Sequence, residues 1–133
     1  MILADTHALV WFVDGQPSLG PLARDIMEAA LKDEGGHVSA MSFWELAMLH
    51  AKRRLQFETS VTAWRKATLD QGFVEIPVTG DIGIAAAELS GFHSDPADRF
   101  IVAAALQNGL KLITADQRIL DWPGQVSRHD ARL

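Results

Sequence analysis

Four acidic residues, Asp5, Glu45, Asp98 and Asp116, each fall where an apolar run gives way to a polar one. They are remote in sequence, yet each is expected at a strand end or in the first turn of a helix. In an open α/β sheet such positions converge on the crevice beyond the carboxyl ends of the strands. If these carboxylates approach to about 5 Å, each ionised pair repels by about 3 kcal/mol at an effective dielectric near 20. Repulsion of that size raises the pKa values or forces the site open. A divalent cation with oxygen ligands removes the conflict. The absence of cysteine and of any histidine pair at ligand spacing favours Mg²⁺, or Mn²⁺, over zinc. Such an ion keeps several waters and accepts phosphate oxygens. It can activate water, polarise a phosphoryl group and stabilise a leaving oxygen. The chemistry that follows is phosphodiester hydrolysis.

Each acid also has a local explanation. Asp5 can cap the first helix. Ser42-Phe43-Trp44-Glu45 fits a capping box, with Glu45 reaching back to the cap. Asp95-Pro96-Ala97-Asp98 reads as a cap followed by an acid in the first turn, where both carboxylates favour the helix dipole. Asp116 can cap the last helix. Caps alone, however, do not require all four acids to lie on one side of a sheet.

The elements that position them follow from apolar spacing. Ile2 to Asp5 predicts a short buried strand, with Thr6 as a possible cap for a helix through Phe12. Leu22 to Leu31 has helical spacing. His37 to Ser39 predicts a second strand, followed by a helix capped by Ser42. Helices are expected over Thr62–Leu69 and Ile82–Leu89, with a strand over Phe73–Pro77 between them. Pro96 opens a helix over Ala97–Asn108 that Gly109 closes. Lys111–Thr114 is a strand, and Asp116 starts the final helix. Alternating strands and helices predict an α/β chain: a three-layer α/β/α sandwich around a mostly parallel sheet.

The length of 133 residues suits one domain, 1–133, and 48% hydrophobic with 22% charged residues supports a packed core. The lack of cysteine makes a reducing cytoplasm the natural compartment. The longest apolar run, Phe100–Leu106, is too short to cross a bilayer, and the N-terminus lacks the basic region of a signal peptide. A net charge of −5 counts against a passive nucleic-acid binder. It counts less against a nuclease, because a bound metal inverts the local potential.

Four stretches carry a family resemblance: Asp5-Thr6-His7-Ala8-Leu9-Val10-Trp11, Val38-Ser39-Ala40-Met41-Ser42-Phe43-Trp44-Glu45-Leu46, His93-Ser94-Asp95-Pro96-Ala97-Asp98-Arg99-Phe100-Ile101 and Leu112-Ile113-Thr114-Ala115-Asp116. In order and spacing the chain resembles PIN-domain ribonucleases of the VapC type, the toxins of VapBC toxin–antitoxin pairs. The resemblance implies that Asp5, Glu45, Asp98 and Asp116 are the catalytic quartet and hold Mg²⁺ or Mn²⁺. It implies hydrolysis of RNA by metal-activated water, leaving 5′-phosphate and 3′-hydroxyl ends. Thr114 is similar to the family's polar residue beside the quartet. Thr6 and Ser42 are supporting candidates or simple caps. Arg99 contacts a carboxylate or the substrate, or forms a structural salt bridge. The resemblance also implies a homodimer and a cognate antitoxin that offers a basic side chain to the acids.

Other features are less specific. Lys52-Arg53-Arg54 and Arg65-Lys66 read as solvated helix faces that could also meet an RNA backbone. Trp11 and Trp44 read as core or partner-groove residues, although any of the four tryptophans could stack a base. His93 is expected to pack near the acids without a catalytic role. Two other readings remain open. One is a non-catalytic module that docks a basic peptide on the acids. The other is a phosphate-handling enzyme with an aspartyl nucleophile, although Asp5-Thr6-His7 lacks the nucleophile–x–acid motif.

Overall fold

The computed structural model describes residues 1–133. In chain order its elements are β1 (Ile2–Ala4), α1 (Thr6–Val13), α2 (Pro21–Lys32), β2 (Gly36–Ser39), α3 (Ala40–Ala51), α4 (Val61–Asp70), β3 (Val74–Ile76), α5 (Gly80–Ala87), α6 (Pro96–Asn108), β4 (Lys111–Thr114), α7 (Gln117–Leu120) and β5 (Arg128–Asp130). The strands form one sheet in the order β3-β2-β1-β4-β5. All four pairings are parallel, so the expected mostly parallel sheet is wholly parallel.

Alternation along the strands separates the two faces. Ile2, Ala4 and Ile113 join Leu9, Met27, Val38 and Leu46 on one side. Leu3 and Leu112 join Ile101, Val102 and Ile119 on the other. Helices α1 to α4 therefore cover one face and α5 to α7 the other, giving the three layers. β1 is central and buried on both faces, which explains why Ile2, Leu3 and Ala4 are all apolar.

The sequence did not announce β5. Arg128-His129-Asp130 has no apolar alternation, and it is a strand because β4 offers it a ladder. Of the two candidate caps for α1, Asp5 is the one used, its Oδ1 accepting from the Thr6 amide at 2.8 Å, and one cap assignment changes. The cap of α3 is Ser39, whose hydroxyl accepts from the Met41 amide at 3.1 Å, not Ser42. The helix starts three residues earlier than expected. Glu45 is therefore beyond its first turn, and no Ser42–Glu45 capping box forms. Asp95 does cap α6, accepting from the Ala97 amide at 3.0 Å, with Pro96 in the first turn and Gly109 closing the helix at φ 62°.

The C-terminal residues seal the start of α2. The Gly20 amide donates to the Ala131 carbonyl at 2.8 Å and the Leu22 amide to the Leu133 carbonyl at 3.0 Å. A Cβ on Gly20 would overlap the backbone of Arg132 and Leu133. A Cβ on Gly83, inside α5, would meet only the Phe100 ring edge at 3.6 Å, an ordinary contact. Gly20→Ala is accordingly expected to destabilise the fold by about 1–3 kcal/mol, and Gly83→Ala to stabilise it by about 0.5–1 kcal/mol. Urea denaturation measures both. Equal shifts in the two variants would contradict this packing.

Candidate active site

β1 lies where the chain's excursions change direction. One side of it carries β2 and β3, the other β4 and β5. The crevice at such a reversal is the usual ligand position in a parallel sheet. Asp5 leaves the end of β1 still tied to β4, its amide donating to the Ile113 carbonyl at 2.9 Å. From there it faces a cavity of about 360 Å³ lined by Asp5, Glu45, Asp98 and Asp116, together with His7, Trp11, Asp95, Ala115 and Arg118. All four sequence-selected acids share this space.

They do not converge equally. Asp98 and Asp116, with His93, each present a ligand atom within 4.8 Å of the others. Asp5 and Glu45 line the same cavity outside that triplet. Asp5 is buried and fixed from two directions. Its Oδ2 accepts from the Thr114 hydroxyl at 2.7 Å, and its Oδ1 accepts from the Thr6 amide. Thr114 in turn accepts the Asp116 amide at 3.0 Å, so one hydroxyl orders two of the acids. Beneath them the Thr6 hydroxyl donates to the Ser42 hydroxyl at 2.9 Å, both fully buried. Thr6 and Ser42 are thus a buried link between α1 and α3. The helical path places Glu45 nearly one turn beyond Ser42.

Burial and crowding set the charge states. Burial is the main cause that raises Asp5, partly offset by the hydrogen bond from Thr114 and the Thr6 amide. Burial, then the nearby Asp5, raises Glu45. Asp98 is pushed up to about 8, first by burial and then by Asp5, Asp95, Asp116 and Glu45. Asp116 goes the other way: burial would raise it, but hydrogen bonds from Arg118 outweigh that and lower it. His93 is lowered by burial and by Arg118. The His93 Nε2 to Asp98 Oδ2 contact of 2.7 Å has the spacing of an ion pair. Both shifts weigh against a full ion pair between these two groups.

Several sequence readings need correction here. The acids have a basic neighbour that sequence reading did not single out. Arg118 Nη2 is 3.0 Å from Asp116 Oδ2 and 3.4 Å from Asp98 Oδ2. Arg99 contacts neither a carboxylate nor the cavity. Its guanidinium donates to the carbonyls of His93, Ala86, Leu89 and Phe92 at 2.8–3.4 Å and lies over the Phe92 ring. It braces the loop between α5 and α6, which carries His93. Of the two readings of Trp44, core or partner groove, the first is excluded because it is 51% exposed, whereas Trp64 and Trp122 are buried. Trp11 is half-buried on the cavity wall. Lys52-Arg53-Arg54 lie in the exposed turn after α3, not on a helix face. Arg65 and Lys66 do lie on a helix, paired with Glu75 and Asp70.

Sequence reading placed His93 near the acids, as found, but not its contact with Asp98, and it missed Arg118. The resemblance flagged the stretch containing His93, and Arg118 lies two residues past Asp116. Only the loop path and the turn of α7 reveal that both point at the acids.

The PIN-domain family model matches residues 2–124, so the chain belongs to the PIN-domain family. Ribonuclease VapC22 of Mycobacterium tuberculosis is 34% identical over 119 residues, covering 89% of this chain and 88% of its own. The fold is similar to that of DNA-bound VapBC from Salmonella typhimurium, with a TM-score of 0.71, 17% identity and 98% coverage of each chain. It is also similar to VapBC2 from Rickettsia felis bound to a promoter DNA fragment, with a TM-score of 0.67, 16% identity, 97% of this chain and 98% of that one. No helix is long and apolar enough to cross a membrane.

Two outcomes follow. Asp98 takes its folded-state proton near pH 8 against an ordinary 3.8. Between those values the folded protein holds a proton that the unfolded chain has released, so this residue's contribution to stability falls as pH rises. The lowered Asp116 acts below that window, and the lowered His93 acts in the opposite sense near its own titration. The difference between variants is therefore the readout. In EDTA, from about pH 5 to about pH 8, the Asp98→Asn melting temperature should gain steadily on the wild type; parallel curves would refute the crowding. Arg99→Lys, which cannot serve four carbonyls, should lose about 2–4 kcal/mol in urea denaturation, and a loss within error would mean the brace is slack.

Proposed function

We propose that the chain is a divalent-cation-dependent endoribonuclease and the toxin of a toxin–antitoxin pair. The observation that carries this reading is the set of four acids around one cavity at the switch point of a parallel sheet. Three of them have raised proton affinities.

The donor set fits a hard divalent cation. Asp5, Asp98, Asp116 and Glu45 would hold it through carboxylate oxygens, with His93 offering a ring nitrogen beside Asp98 and Asp116. Mg²⁺ is the expected ion and Mn²⁺ the expected substitute, since both accept oxygen-rich sites. When bound, such an ion polarises the phosphoryl group, lowers the pKa of water and offsets charge on the leaving oxygen. The remaining work belongs to the chain. Thr114 orients Asp5 and, through the Asp116 amide, the turn that carries Asp116. His93 holds one oxygen of Asp98 so that the other is directed by a fixed ring, and Arg99 keeps that ring in place. Glu45 takes no hydrogen bond from an arginine or histidine, and its raised proton affinity suits it to accept a proton from an attacking water.

The ribonuclease relative supports RNA as substrate, and the VapBC fold neighbours support a cognate antitoxin as partner; a homodimer is the assembly that the sequence resemblance implies. A second reading, docking of a basic peptide without catalysis, is favoured by one observation. A guanidinium, that of Arg118, already fits between Asp98 and Asp116.

The test is incubation with single-stranded and structured RNA, with Mg²⁺ or with EDTA, beside Asp116→Asn. Cleavage should require the metal, leave 5′-phosphate and 3′-hydroxyl ends by mass spectrometry, and drop by about 100-fold or more in the variant. Cyclic-phosphate products, or cleavage indifferent to EDTA, would exclude this mechanism. A folded protein that binds a basic peptide and cleaves nothing would select the docking reading.

A further inference from the structure

Arg118 is the one Lys or Arg side chain on the wall of the acidic cavity. The same residue lines the adjoining cavity, which is bounded by Trp44, Met48, His93 and Pro96. It therefore stands at the junction of the two. Its Nη2 bridges Asp98 and Asp116, and its Nε lies 3.3 Å from Asp116 Oδ1. These contacts come from a side chain that is 58% exposed, on a helix of a single turn.

The carboxylates are largely buried, but the guanidinium that bridges them is more than half exposed and screened by water, so the arginine is the partner that can leave. A divalent cation needs the same two carboxylates. Binding it requires Arg118 to give up Asp98 and Asp116, but the backbone keeps the residue two positions from Asp116. The freed guanidinium stays at the mouth of the site with its donor fork unpaired. That fork matches two oxygens of a phosphodiester. An acidic cavity in a chain of net charge −5 otherwise offers a polyanion little but repulsion.

We propose that Arg118 is a two-position residue. It serves the Asp98–Asp116 carboxylates as an internal counter-ion, and when a divalent cation takes those carboxylates it passes to a phosphate of the bound RNA strand. The proposal rests on the ribonuclease reading above and adds a substrate contact to it. It carries a signature that a purely structural residue lacks: removing Arg118 improves metal binding and impairs cleavage.

The experiment compares wild type, Arg118→Gln and Arg118→Lys. Mn²⁺ affinity is titrated without RNA by electron paramagnetic resonance, and kcat and KM for RNA are measured at saturating Mn²⁺. Arg118→Gln should bind Mn²⁺ about 2- to 5-fold tighter, yet cleave with a higher KM and at least about 10-fold lower kcat/KM. Arg118→Lys, which keeps the charge but not the fork, should retain the wild-type Mn²⁺ affinity and recover part of the cleavage. Unchanged or weaker Mn²⁺ binding in Arg118→Gln would overturn the counter-ion role, and full cleavage at saturating Mn²⁺ would overturn the substrate contact. If the wild type itself neither binds Mn²⁺ nor cleaves RNA, the ribonuclease reading falls as well. If the wild type does both and Arg118→Gln matches it, only the role of Arg118 falls.

Discussion

The hydrogen bond from Thr114 to Asp5 is the contact on which the site depends. It joins the end of β1 to the end of β4 across 109 residues of sequence. A buried carboxylate without donors would cost several kcal/mol to ionise. Asp5 avoids part of that cost through the Thr114 hydroxyl on one oxygen and the Thr6 amide on the other. The amide belongs to the start of α1, so the helix dipole works in the same direction. Capping the helix and building the site are thus one arrangement. The same carboxylate ends the central strand, starts the first helix and faces the cavity.

The arrangement is stable only in part. Asp98 and Glu45 stay uncomfortable: both have raised proton affinity, mainly because they are buried and then because other acids surround them. Only Asp116 is relieved, by Arg118. A protein selected for stability alone would place neutral groups at these positions. Local conflict retained against a well-packed sheet is the pattern expected of a functional site. Here the rest of the fold can bear it, because apolar clusters anchor β1 on both faces of the sheet and α6 on one.

Much of this was legible in the sequence, for identifiable reasons. Ile2-Leu3-Ala4 and Leu112-Ile113 are apolar on both faces, as central parallel strands must be, and Pro96 and Gly109 bracket α6 with conformations few other residues supply. Sites at the ends of such elements can be placed without coordinates, which is why Asp5, Asp98 and Asp116 stood out. The α3 cap was misplaced because Ser39 and Ser42 are both good caps and the local pattern cannot choose between them. The choice is made by β2, which continues to Ser39 in register with β3. β5 was invisible because Arg128-His129-Asp130 becomes a strand through its neighbour, not through its own propensity. Arg99 looked ionic because it follows an acid. On a helix, however, adjacent residues point to different faces, and Arg99 points away from the cavity toward the loop carbonyls. His93 and Arg118 reach the acids from a loop and a one-turn helix, where side-chain direction has no period to read.

Proton affinity and cation affinity are two expressions of one property at this site. Whatever makes Asp98 hold a proton to about pH 8 also makes it gain from a positive neighbour, whether that is a proton, a guanidinium or a divalent ion. Competition among these is therefore unavoidable and depends on geometry. A proton relieves one carboxylate. The Arg118 guanidinium spans two but remains largely in water. A divalent ion can engage several at once with little loss of side-chain freedom in a cavity already ordered by Thr114, His93 and Arg99. Preorganisation would favour a divalent ion over these rivals, since the ordering is complete without it. The buried threonine, the loop-bracing arginine and the histidine against Asp98 never need to touch a substrate to decide which cation the acids accept.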